Sequence, residues 1–207
     1  MPRLYYMPRT RSSRVLWLLA EIGAPYELTK LAPAERGSAE HRARHPLGRV
    51  PALELDPPSG GQASGTVMFE SAAICLQLAD LHPQAGLIGP LGSTERALVY
   101  QWVLFAMTEL EAPLYRWIRE AGAGTADASS SERFEQAATA LEAALHGHDW
   151  LVADRFSVAD VLCASVLGSA HSRELLGPWP GLAAYVERGE ARPAFIAAAE
   201  IANQPRE

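Results

Sequence analysis

Lysine is almost missing from this 207-residue chain: Lys30 stands alone beside 17 arginines, a bias we assign to GC-rich coding rather than to function. Cysteine is nearly as scarce. Cys75 and Cys163 cannot build a disulfide scaffold, and no C-x-x-C motif is present, which fits a reducing compartment. No run approaches the roughly 18 apolar residues of a membrane-spanning helix. The arginines scattered through MPRLYYMPRTRSSR break the apolar stretch that a signal peptide needs. The expectation is a soluble cytoplasmic protein with no membrane partner. A net positive charge is also lacking: the formal charge is −6, which argues against nucleic acid as a partner. His146-Gly147-His148-Asp149 has the density of a metal site but no second pair of ligands to complete it, so no metal is expected.

Apolar residues make up 48% of the chain. At 22.4 kDa, surface scaling allows roughly 70% of the unfolded surface to be buried, enough for one large domain or two small ones. Disorder as the dominant state is excluded.

The two halves read differently. Up to about His82 the elements are short and mixed. LYYM (4–7) is strand-like, and Ser13–Ile22 carries Val15, Leu18, Leu19 and Ile22 at one-face helical spacing before Gly23-Ala24-Pro25 stops it. YELTKL (26–31) alternates as a half-buried strand. PALEL (51–55) and TVMF (66–69) read as a hairpin around DPPSGGQASG. Ser71 is placed to cap a helix running through Asp80. The order β-α-β-(α)-β-β-α makes a small α/β unit over residues 1–82. A linker with two prolines and three glycines follows over 83–92. From 93 to 207 no convincing strand appears, and the pattern is all-helical. It shows a long helix over 98–118 that Pro113 should kink, then helices over 131–146, 157–171, 181–188 and 193–202.

Four constellations could carry chemistry or folding information. Thr10, Ser12 and Ser13 place hydroxyls at a helix N-terminus, where anions are favoured and where capping alone is also a sufficient reason for them. Gly48-Arg49-Val50-Pro51 enters a strand, and a cis bond before Pro51 would turn the Val50 amide outward for pairing with an extended peptide. Glu70 and Ser71 join a strand to a helix, so the carboxylate could take an ammonium while the hydroxyl and helix amides take a carboxylate. Ser157-Val158-Ala159-Asp160 is a capping box before a helix apolar nearly all round, and belongs to folding. Cys75 and Cys163 sit on apolar helix faces as packing residues, and Trp102, Phe105, Tyr115 and Trp117 are helix-face aromatics.

Together LYYMPRTRSSRVLWLLAEIGAPYEL, HPLGRVPALEL, FESAAICLQLAD and RFSVADVLCASVL resemble the cytosolic glutathione transferases, in the family's order and over essentially the whole chain. The resemblance implies a thioredoxin-like N-terminal domain, an all-helical C-terminal domain, a cis peptide before Pro51 and a homodimer. It implies glutathione as co-substrate and an apolar electrophile as its partner. Thr10 falls at the catalytic hydroxyl position, with Ser12 or Ser13 as substitutes and a phenol donor from Tyr5 or Tyr6 left open. Arg49, Val50, Pro51, Glu70 and Ser71 fall in the glutathione site, and Tyr6, Met7, Phe105 and Tyr115 are the candidates for the electrophile pocket. His45 departs from the family, standing where an Asn commonly precedes Pro-x-Gly. A glutathione-dependent isomerase, dehalogenase or ether-cleaving enzyme would present the same thiolate site. A non-catalytic relative would be marked by loss of the first-turn hydroxyls, Glu70 or Ser71, and none is lost.

Overall fold

The computed structural model describes residues 1–55 and 65–205. The turn expected over DPPSGGQASG lies almost wholly outside the described residues. The chain divides into two compact units, Met1–Ala85 with the segment from Pro193 onward, and Gly86–Arg192.

The first unit is built on a four-stranded sheet. β1 (Arg3–Tyr6) is followed by α1 (Ser12–Ile22), β2 (Glu27–Lys30), a 3-10 turn (Pro33–Gly37), α2 (Ala39–Arg44), β3 (Ala52–Glu54), β4 (Val67–Phe69) and α3 (Ser71–Leu81). The strand order is β2-β1-β3-β4. β1 runs parallel to β2 and antiparallel to β3, and β3 pairs antiparallel with β4 as the hairpin reading requires. Leu4, Tyr5 and Tyr6 are all buried; successive side chains of a strand point to opposite faces, so both faces of the sheet are covered at β1, which lies inside the sheet with a partner on each edge. Tyr5, Met7, Leu31 and Ala52 form one apolar cluster, with Val50 and Val67 packed against it. α1 buries Val15, Leu16, Trp17, Leu18 and Leu19, and Gly23 ends it in the left-handed conformation (φ 69°), its N–H bonded to the Leu19 carbonyl.

The last helix, α9 (Pro193–Ala202), packs on α1. Trp17 meets Phe195 edge-on at 4.9 Å, and the Arg9 N–H donates to the Ala202 carbonyl at 2.8 Å. The sequence reading left these residues with the helical half. Periodicity identifies a helix but not the surface that receives its apolar face, and that surface is α1.

The second unit contains α4 (Thr94–Phe105), α5 (Ala112–Gly122), α6 (Ala128–Ala144), α7 (Val158–His171) and α8 (Pro180–Glu190). Between α4 and α5 residues Ala106–Glu111 form a π-helical segment. Pro113 has no N–H to give to the carbonyl four residues back, and its ring crowds that carbonyl. The wider π segment just before it accommodates the defect, so the interruption expected at Pro113 is taken up one turn earlier. α7 is buried almost throughout. Asp160 holds its start: it accepts from the Ser157 N–H at 2.8 Å, the Ser157 hydroxyl at 2.9 Å, the Leu151 N–H at 3.0 Å and the Tyr185 hydroxyl at 2.9 Å. Among the described residues no helix is long and apolar enough to cross a membrane.

Candidate functional site

Strand order decides where the candidate residues meet. Tyr5, Ala52 and Phe69 form one cross-strand row. β1 and β4 run one way and β3 the other, so beyond that row lie the exit of β1, the entry to β3 and the exit of β4. The turn carrying Thr10 and Ser12, the Arg49–Pro51 segment and the Glu70–Ser71 junction therefore gather at the same end of the sheet. Segments separated by about 60 residues become neighbours through topology alone.

In the first turn Arg9 adopts φ 56°, a conformation uncommon for a side-chain-bearing residue. The Thr10 hydroxyl donates to the Met7 carbonyl at 2.7 Å and accepts from the Ser12 N–H at 3.2 Å. Ser13 donates its hydroxyl to the Thr10 carbonyl at 3.0 Å. The sequence reading had Ser12 and Ser13 capping α1 and Thr10 turned to the ligand. In the structure Thr10 itself takes the amide, because its position two residues before the helix lets Oγ1 fold back. Ser12 is fully buried, its hydroxyl oxygen 3.0 Å from that of Thr10. Of these two residues only Thr10 retains exposed surface.

The second segment is tightly formed. Val50–Pro51 is the one cis peptide bond among the described residues. Gly48 sits at φ 59°, where an added Cβ would lie 2.5 Å from the Arg36 carbonyl oxygen, so only glycine fits. The Gly48 N–H donates to the His45 carbonyl at 2.8 Å, and the Leu47 N–H to His45 Nδ1 at 3.2 Å. His45 is buried against Phe69, ring centroids 5.0 Å apart. Burial holds its pKa below the ordinary histidine value, helped by His41 and Arg49 and opposed by Glu70. Arg49 is exposed.

At the third segment Glu70 occupies φ 71°, ψ 110°, and precedes α3 as its N-cap residue without capping it through its side chain. Ser71, expected as the cap, is the first helical residue. The exposed Glu70 carboxylate makes no side-chain hydrogen bond among the described residues, and its electrostatic neighbour is His45. Behind Glu70 the buried Arg14 of α1 reaches the Ser71 hydroxyl at 3.4 Å. Arg14 was not singled out from sequence, although an arginine four residues before Leu18 interrupts the apolar stripe of α1 and could have signalled it.

Other candidates lie elsewhere. The Tyr5 hydroxyl donates to Glu54 at 3.1 Å, with the Arg44 guanidinium 4.2 Å above the ring. Tyr6 is buried, which raises its pKa, and Met7 is buried too, so both offer little surface to an electrophile. Phe105 and Tyr115 belong to the helical unit, where Phe105 packs edge-on with Trp102 and the Tyr115 hydroxyl lies 3.0 Å from that of Ser169. Cys75 is buried behind Arg14, and burial pushes its thiol up to about 12, which removes it as a nucleophile.

Comparison with known proteins identifies the fold and the family. Residues 2–80 match the glutathione S-transferase N-terminal domain family and residues 113–188 the C-terminal domain family. The chain is 27% identical to glutathione S-transferase GstA of Escherichia coli O157:H7, over 92% of this chain and 94% of the other. It is 29% identical to the maleylacetoacetate isomerase of Pseudomonas aeruginosa, over 98% and 97%. A glutathione transferase structure from Methylococcus capsulatus superposes with TM-score 0.84 at 31% identity, covering 98% of each chain. A sphingomonad glutathione S-transferase complexed with glutathione gives TM-score 0.83 at 29% identity, covering 98% of this chain and all of the other. The thioredoxin-like sheet unit and the helical unit are those of that fold.

Proposed function

The chain belongs to the cytosolic glutathione transferase family, and we propose that it is an active transferase, holding glutathione at the end of the sheet and activating its thiol for attack on an apolar electrophile. One observation carries this reading: the three segments that would contact the tripeptide emerge together at one end of the sheet, and among the described residues the Val50 amide and the Glu70 carboxylate there make no hydrogen bond. Glu70 would take the α-ammonium of the γ-glutamyl unit, and Ser71 with the first amides of α3 its carboxylate. Val50 would pair with the cysteinyl unit beside Pro51, and Arg49 with the glycine carboxylate.

The thiol then lies by the first turn, and Thr10 is the donor we assign to it. A free thiol near pKa 8.5 is only ~3% thiolate at pH 7; lowering its pKa by about two units requires about 2.7 kcal/mol of preference for the anion. A hydrogen bond to a charged group contributes about 1.5–3 kcal/mol and a helix N-terminus about 0.3–1. One hydroxyl plus the start of α1 therefore suffices without a buried general base. When Thr10 turns its proton from the Met7 carbonyl to sulfur, the Ser12 hydroxyl is placed to donate to Thr10 Oγ1 and strengthen it. The thiol proton leaves to water, and the sulfur lone pair forms the new bond to the electrophilic centre. The pair it displaces departs with the leaving group (halide from an aryl halide) or goes to the epoxide oxygen, which then takes a proton from water.

Likeness to an isomerase over nearly the full length favours a second reading, in which the same thiolate adds to substrate and is later expelled. Calorimetry with glutathione tests the binding half. Wild type should bind, and Ser71→Ala should lose roughly 1–3 kcal/mol. A folded wild type that ignores glutathione refutes the proposal. A panel of aryl halides, epoxides and cis-alkenes then separates conjugation from isomerisation.

A further inference from the structure

His41, named above only for its effect on His45, is 1% exposed. Its Nε2 lies 2.8 Å from the Arg49 carbonyl oxygen. A carbonyl can only accept, so Nε2 carries the proton and donates. Nδ1 is buried with no hydrogen-bond partner among the described residues, an arrangement native proteins rarely keep without a reason.

The reason lies in the peptide unit that His41 holds. The Arg49–Val50 bond is trans, so its C=O and N–H point in opposite directions. Drawing the Arg49 oxygen inward onto His41 obliges the Val50 N–H to face outward. That N–H has no partner among the described residues, and neither has the Val50 carbonyl. Other contacts of the segment act one residue earlier: Arg36 Nε donates to the Gly48 carbonyl at 3.3 Å, and the Gly48 N–H binds His45. None of them fixes the 49–50 plane. We propose that His41 is a positioning residue for glutathione, setting the Arg49–Val50 peptide so that the Val50 amide is aimed at the tripeptide backbone before it arrives. The gain is preorganisation: the ligand does not have to order the plane on binding. This rests on the reading of the site as a glutathione site.

The test compares His41→Gln, whose amide nitrogen can replace Nε2 as donor, with His41→Leu and His41→Asn, which cannot supply a donor at that reach. Glutathione Kd by calorimetry, KM for glutathione, kcat and melting temperature are measured for each. Leu and Asn should raise Kd and KM together by about three- to tenfold, the scale of one hydrogen bond, with kcat within about twofold and Gln near wild type. Should Leu fail to fold, the Gln and Asn pair decides. Unchanged Kd in Asn or Leu, equal loss in Gln and Asn, or a fall in kcat at constant KM overturns the role. Wild type that binds no glutathione overturns the parent reading instead, and this one with it.

Discussion

At the scale of single residues the first turn separates hydroxyls that look equivalent in sequence. Thr10 keeps exposed surface and Ser12 has none. Thr10→Val, nearly isosteric but without the donor, should therefore lose most conjugation while still binding glutathione, and Thr10→Ser should keep it. Ser12→Ala should cost less, since it removes only support. Thiolate absorbance against pH reads the bound thiol directly, and an unmoved titration in Thr10→Val eliminates that donor. His45 makes a second prediction. Its folded pKa is depressed chiefly by burial, so below the unfolded value near 6.5 the unfolded chain binds the extra proton first. Stability is then full above about pH 6.5 and declines as pH falls through the folded pKa. His45→Asn, whose side-chain oxygen can still accept from Leu47, should flatten that part of the denaturation profile between pH 7 and 5. Equal slopes in the two proteins would assign it to other groups.

At the scale of elements, most boundaries were legible because periodicity and stop signals report local chemistry. α1 was placed within one residue by its apolar stripe and Gly23, and the capping box before α7 announced itself in four letters. What stayed hidden were facts of partnership. The reach of Arg14 to Ser71 and the bond from His41 to Arg49 depend on residues that the fold brings near, and the fold-back of Thr10 onto Met7 and Ser12, though local, follows a positive φ at Arg9 that no residue pattern announces. The π segment before Pro113 was hidden for a related reason: sequence marks the defect but not the turn that absorbs it. The α7 start supplies this scale's prediction. Asp160 is buried with four donors aimed at it, one from Tyr185 of α8. Asp160→Ala orphans them together and should destabilise the protein by about 3–5 kcal/mol in urea titration. A loss under 1 kcal/mol would mean the helix starts without its cap.

For the whole molecule, the family resemblance implies a homodimer, and α4 leaves Tyr100 and Leu104, one turn apart on the same face, exposed. Sizing with light scattering should give about 45 kDa, twice the 22.4 kDa chain; a monodisperse species at the chain mass across micromolar concentrations contradicts it. The packing of α9 bears on a different matter, the order in which the chain is made. Synthesis runs from the N-terminus, so the ribosome delivers the sheet and α1 long before the helix that covers Trp17 and takes up the Arg9 amide. The half of the molecule that is born first is thus completed last. Until the distant helix arrives, the nascent α1 carries an uncovered tryptophan face, and the turn bearing Thr10 lacks one of its fastenings.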